Sequence, residues 1–188
     1  MDSTQIGFIG LGAMGSVMAP LLADSSVEVL GLDPAATASS SSQIRMVNNI
    51  SALSNCAAII LMLPDGRVVE TVALQLVDIG FAGLLIDMSS SHPVGTTALG
   101  GQLAQTSMQF VDAPVSGGVK KAGNGTLMIM AGGTADDIAT ALSTKITGVD
   151  VTVSGNALTL TSQVAGTGSA YTLSASSTDT GGSLAATS

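Results

Sequence analysis

Three glycines stand at fixed spacing in Gly10-Leu11-Gly12-Ala13-Met14-Gly15, directly after the apolar run Ile6-Gly7-Phe8-Ile9. Glycine is disfavoured inside helices and strands, so the spacing marks a backbone that turns tightly or lets something come close. Such a turn can hold a phosphate, because N–H groups at the start of a helix face an anion with no side chain in the way. Eighteen residues after Gly15, Asp33 closes the next apolar run. An apolar strand, G-x-G-x-x-G, a helix, and an acidic residue ending the second strand together make the dinucleotide-binding fingerprint. In that pattern Gly10 makes the tight turn, Gly12 lets the backbone approach a pyrophosphate and Gly15 lets the helix pack on the strand. Leu11, Ala13 and Met14 complete the cofactor loop. Asp33 would accept hydrogen bonds from the adenosine ribose hydroxyls and repel a 2′-phosphate. No Arg or Lys follows it closely, so NAD is favoured as the cofactor over NADP.

The elements that must position these residues follow the rhythm of a parallel α/β sheet up to about residue 142. Apolar runs predict strands at residues 5–9, 27–32, 45–47, 58–63, 84–87, 109–112 and 127–131, several apolar at every position, as doubly covered strands are. Helices are predicted at 13–23, 66–77, 94–105 and 135–142, and Pro20 should bend the first or leave a carbonyl free. The run AATASSSSQ at 35–43 reads as a loop or a poorly capped short helix. Beyond residue 142 Ser, Thr and Gly dominate. Val151, Val153, Leu158 and Leu160 alternate with strand period, Ser154-Gly155-Asn156 would turn a hairpin, and past Leu173 the apolar surface is too small to offset the cost of ordering. The expectation is a Rossmann-type, doubly wound domain over 1–142 and an atypical tail over 143–188.

Composition narrows the function. With 188 residues the chain can bury one sizeable core, and with 46% hydrophobic but only 2% aromatic residues that core must be aliphatic. A net charge of -8 argues against a grip on nucleic-acid phosphates. Cys56 is the single cysteine, which excludes an internal disulfide and a cysteine-rich metal site and fits a reducing compartment. The N-terminus has no basic leader and no apolar run reaches a membrane span, so the expectation is a cytoplasmic protein with no membrane or nucleic-acid partner. His92, the lone histidine, precedes a proline in a loop and is not assigned an acid-base role; Cys56 reads as a small buried hydrophobe, and Lys120 and Lys121 as a solvated patch.

Three further stretches, ILMLPD (60–65), LLIDMSSSHP (84–93) and FVDAPVSGGVKKAGNGTLMIMAGG (110–133), make residues 5–142 closely resemble the β-hydroxyacid dehydrogenases. That group includes 3-hydroxyisobutyrate dehydrogenase and tartronate semialdehyde reductase, and its cofactor domain is like the NADP-binding domain of 6-phosphogluconate dehydrogenase. The resemblance implies that Leu63 and Pro64 lie along the adenosine side of the cofactor and that Ser89 and Ser90 approach the nicotinamide. It also implies that Ser116, Gly117 and Gly118 bind the substrate carboxylate, and consecutive N–H groups in a glycine turn do form an anion site. The implied reaction is hydride transfer between a nicotinamide and a small 3-hydroxy acid or its semialdehyde.

The same resemblance calls for a lysine as general acid-base, in a G-x-G-x-x-x-K-x-x-N pattern on a helix after the cofactor domain. The nearest echo is Gly166-Thr167-Gly168, which places Thr172 at the lysine position and Ala175 at the asparagine. A threonine hydroxyl is too weak an acid to protonate an alkoxide efficiently near neutral pH. Three accounts of the tail compete: a cofactor-binding protein without its catalytic half, a truncated chain ending in a frameshifted or chimaeric reading, and a fusion. The second is favoured, because GTGSA and GGSLAA keep a faint family-like rhythm without the functional side chains. The expectation is therefore a chain that binds cofactor and turns over slowly or not at all. The alternative is a non-catalytic NAD-binding or interaction module. The substrate and any homo-oligomeric state stay open.

Overall fold

Short aliphatic runs become the interior strands of a sheet because each can be covered on both faces. The structure, a computed structural model, describes residues 3–36, 42–132, 149–154, 157–162, 172–176 and 185–186. The chain divides into two units, Met1–Leu127 and Met128–Ser188.

In the first unit β1 (Thr4–Ile9), β2 (Val27–Leu32), β3 (Ile44–Met46), β4 (Ala58–Leu61), β5 (Leu84–Asp87) and β6 (Gln109–Asp112) form one sheet in the order β3-β2-β1-β4-β5-β6. Every neighbouring pair is parallel. This is the Rossmann strand order, with the topological switch between β1 and β4. The register brings the carboxyl ends level: Ile9 lies opposite Leu32 and Leu61, Leu61 opposite Asp87, and Asp87 opposite Asp112. The loops leaving these strands therefore emerge side by side, which is where such sheets bind ligands. Phe8, Leu30, Ile59, Leu61, Leu84 and Leu85 are fully buried, so the strands contribute a mainly aliphatic core.

The helices are α1 (Gly15–Met18), α2 (Gly66–Asp78), α3 (Pro93–Leu103) and α4 (Gly118–Gly123), with a short strand β7 (Val115–Ser116) before the last. α2 buries Val69, Ala73 and Leu76, spaced to share one face, and α3 buries Leu99 and Leu103. The long first helix expected from the sequence is instead α1 followed by a 3-10 turn at Ala19–Leu22. Pro20 has no N–H for the Ser16 carbonyl, so the winding tightens there. β4 stops at Leu61, two residues before the expected end. The Met62 N–H still donates to the Ile9 carbonyl at 2.9 Å, after which the chain turns towards Pro64. A 3-10 turn at Ile50–Leu53, its first turn capped by the Asn49 side chain on the Ala52 N–H, was not expected, nor was α4. Within 35–43, residues 37–41 lie outside the described residues.

The second unit contains β8 (Met128–Ile129), β9 (Val149–Ser154), β10 (Ala157–Ser162), β11 (Thr172–Ser176) and β12 (Ala185–Ala186). The last four form an antiparallel sheet in the order β12-β11-β10-β9, with Ser154 opposite Ala157. β11 and β12 fall largely in the stretch expected to be unordered past Leu173, and they pair with each other. The helix expected at 135–142 lies outside the described residues, as do Gly155 and Asn156.

Candidate cofactor-binding site

The three glycines of the first loop differ in what surrounds them. Gly10 has φ +96°, a conformation costly for other residues, and a Cβ there would run into the Met62 carbonyl. Its N–H donates to the Leu32 carbonyl at 3.0 Å, so the turn is wedged between the ends of β2 and β4. A Cβ on Gly15 would strike the Gly10 carbonyl and come within 2.9 Å of the Phe8 ring, which keeps α1 close to β1. Around Gly12, among the described residues other than its two chain neighbours, no heavy atom lies within 4 Å of where a Cβ would sit. Gly12 and Ala13 are exposed, and the N–H groups of Gly12, Ala13 and Met14 have no hydrogen-bond partner among the described residues. Successive unpartnered N–H groups in a glycine turn make a concavity for an anion.

Asp33 stands at the end of β2 beside this loop. Its Oδ2 accepts from the Leu11 N–H at 2.7 Å and its Oδ1 from the Ala35 N–H at 2.8 Å. The Leu11 N–H is thus taken up within the protein, and Asp33 fixes the loop. Each carboxylate oxygen has further acceptor capacity, and the residue is only half-buried. Arg45 on β3 pairs with Glu28 at 2.7 Å.

Beyond β4, Leu63 is half-buried and Pro64 exposed. Asp65 caps α2 by accepting from the Val68 and Arg67 N–H groups, and these bonds, Val68 first, hold its carboxyl below the usual range. Beyond β5, Ser89 is buried while Ser90 is exposed. Ser90 and Ser91 line a cleft of about 360 Å³ between the first turns of α2 and α3, together with Asp65, Arg67 and His92; none of Gly10 to Gly15 lines it. Beyond β6, Ser116, Gly117 and Gly118 are exposed, with φ +135° and +68° at the two glycines. They lead into α4, whose last turn carries Lys120 and Lys121, both exposed. The five groups of residues named from the sequence in this unit thus leave the carboxyl ends of β1, β2, β4, β5 and β6.

Other residues resolve simply. The His92 ring caps α3, its Nδ1 accepting from the Val94 N–H at 3.3 Å. Cys56 is buried, and burial pushes its thiol up to about 11, which removes it as a nucleophile. Thr172 begins β11, a strand in the second unit. Two residues that sequence reasoning passed over are Asp87 and Asp112. Asp87 is fully buried, and Asp112, opposite it, has its carboxyl raised to about 6, by burial first and by the Asp87 charge second. The signal was there: two successive apolar strands both end in Asp, LLID and FVD. Among the described residues no helix is long and apolar enough to cross a membrane.

Residues 5–155 match the family described as the NAD binding domain of 6-phosphogluconate dehydrogenase. The chain is 38% identical over 141 residues to 2-(hydroxymethyl)glutarate dehydrogenase of Eubacterium barkeri, covering 69% of this chain and 46% of that protein. It is 37% identical over 147 residues to 3-hydroxyisobutyrate dehydrogenase of Pseudomonas aeruginosa, covering 73% and 49%. A solved Mycobacterium tuberculosis 3-hydroxyisobutyrate dehydrogenase with L-serine superposes with a TM-score of 0.68 at 32% identity, covering 74% of this chain and 50% of that one. The chain spans about half the length of the relatives it matches.

Proposed function

We propose a function from one premise: the chain belongs to the 3-hydroxyisobutyrate dehydrogenase family and carries that family's NAD(P)-binding domain. Our reading is that it binds NAD in preference to NADP, as the cofactor half of an oxidoreductase for a small 3-hydroxy acid or the matching semialdehyde. The single observation that carries it is the open glycine loop, with three N–H groups unpartnered among the described residues, beside the Asp33 carboxylate at the switch point of the sheet.

These residues fit a dinucleotide. The Gly12, Ala13 and Met14 N–H groups would take the pyrophosphate, where a Cβ on Gly12 would intrude. Asp33 would accept from the ribose hydroxyls and disfavour a 2′-phosphate, and Arg45, paired with Glu28, offers that phosphate no free cation. Leu63 and Pro64 would flank the adenosine side, and Ser89 and Ser90 the nicotinamide side. When bound, the cofactor supplies a site that accepts or returns a hydride. Ser116, Gly117 and Gly118 would hold the substrate carboxylate, the Ser116 hydroxyl donating and the positive-φ turn directing N–H groups at the anion. No residue of this chain is assigned to move the substrate's hydroxyl proton: Thr172 cannot, and Cys56 is buried.

The test is to mix the purified chain with NAD and 3-hydroxyisobutyrate, following both cofactor binding and NADH formation. Binding with no NADH formation is the expected outcome. Turnover at the rate of a full-length relative would overturn the catalytic part of this reading, and absence of binding would overturn the whole of it.

A further inference from the structure

Asp87 and Ser89 are the buried polar side chains among the described residues, 0% and 1% exposed, and they are joined to each other. Asp87 Oδ1 accepts from the Ser89 N–H and Oδ2 from the Ser91 hydroxyl, both at 2.9 Å. The Ser89 hydroxyl oxygen in turn accepts from the Leu63 N–H at 2.9 Å. Gly66, the first residue of α2, sits against Ser91: a Cβ on it would lie 3.3 Å from the Ser91 Cβ. One carboxyl group therefore governs the turn after β5, and the loop after β4 hangs from that turn. Burying a carboxyl is costly, and an apolar residue would fill the space more cheaply if packing were all that mattered. What an apolar residue could not do is hold two loops at one spacing.

We propose that Asp87 is a positioning residue for the cofactor site: it fixes the Ser89–Ser91 turn and, through the Ser89 hydroxyl, the Leu63–Pro64 loop. The proposal deepens the cofactor reading above and rests on it for its effect on binding. Its effect on the loop can be measured without any cofactor.

The experiment compares the 188-residue chain with its Ser89→Ala, Asp87→Ala and Asp87→Asn variants by amide hydrogen exchange at Leu63 and Ser89 and by titration with NAD. Ser89→Ala removes the acceptor for the Leu63 N–H alone. It should speed exchange at Leu63 and weaken NAD binding, each about fivefold, the equivalent of one net hydrogen bond. Asp87→Ala should speed exchange at both amides and weaken NAD binding about tenfold or more. Asp87→Asn keeps an acceptor for the Ser89 N–H and should restore most of the Leu63 protection, a rescue that a role in fold stability alone does not require. If Asp87→Ala does not fold, Ser89→Ala decides. Unchanged Leu63 exchange in Ser89→Ala overturns the proposal, as does unchanged NAD affinity alongside faster exchange. If the parent chain binds no NAD, the cofactor reading fails, and Leu63 exchange by itself upholds or overturns the positioning role.

Discussion

The loops along the sheet's carboxyl edge use their polar groups in opposite ways on the two sides of the β1–β4 switch. At the β1–β2 end the N–H groups of Gly12, Ala13 and Met14 are without partners among the described residues, and Gly12 is exposed. At the β4–β5 end Asp87, Ser89 and Ser91 are hydrogen-bonded to one another and to Leu63. The first end has groups left to bind something; the second has used its buried groups to set its own shape. The difference teaches that polar groups along one sheet edge can serve either to meet a ligand or to set the shape of the loops that meet it.

That contrast can be broken most severely at Gly10. Gly10→Ala forces a side chain into a positive-φ turn and against the Met62 carbonyl, so we expect a loss of about 3 kcal/mol or more in urea unfolding, together with loss of NAD binding. Gly12→Ala sharpens the same contrast, because its Cβ would meet no heavy atom of the described residues within 4 Å beyond its chain neighbours. Stability should stay within about 0.5 kcal/mol while NAD affinity falls at least about tenfold. Equal damage to folding and binding would contradict the division of labour between the two glycines.

A smaller effect is expected at the β5–β6 end, and it depends on pH. The Asp112 carboxyl, raised to about 6 in the folded chain, holds a proton that the unfolded chain releases near pH 3.9. Stability contributed by this group therefore falls as pH rises from about 4 to about 6. Asp112→Asn should match the parent near pH 4 and be the more stable of the two above pH 6, read from urea midpoints at both ends of the window. An advantage that is the same at every pH would show that the Asp112 carboxyl is not raised in the folded chain. The smallest effect is expected for His92→Ala, which loses one exposed cap: under about 1 kcal/mol, with NAD affinity unchanged.

How much of this was legible depends on the range of each interaction. The glycine loop could be read because its requirement is local: a positive φ at Gly10 and a close approach at Gly15 admit few other residues. The six parallel strands could be read from apolar runs alone. The short α1 was half legible, since Pro20 announced the disturbance without its form. α4 was hidden behind Gly117-Gly118, which read as a turn only. The bond from the Leu63 N–H to the Ser89 hydroxyl oxygen, between residues 26 apart in sequence, was not legible. No local pattern contains that contact, because it exists only once β4 and β5 lie side by side.

The measurement closest to the central claim is isothermal titration of the purified chain with NAD and, separately, with NADP. NAD should bind, and NADP should bind at least about tenfold more weakly, because Asp33 would face a 2′-phosphate there. Equal or tighter binding of NADP would contradict the role given to Asp33, and binding of neither would contradict the site itself.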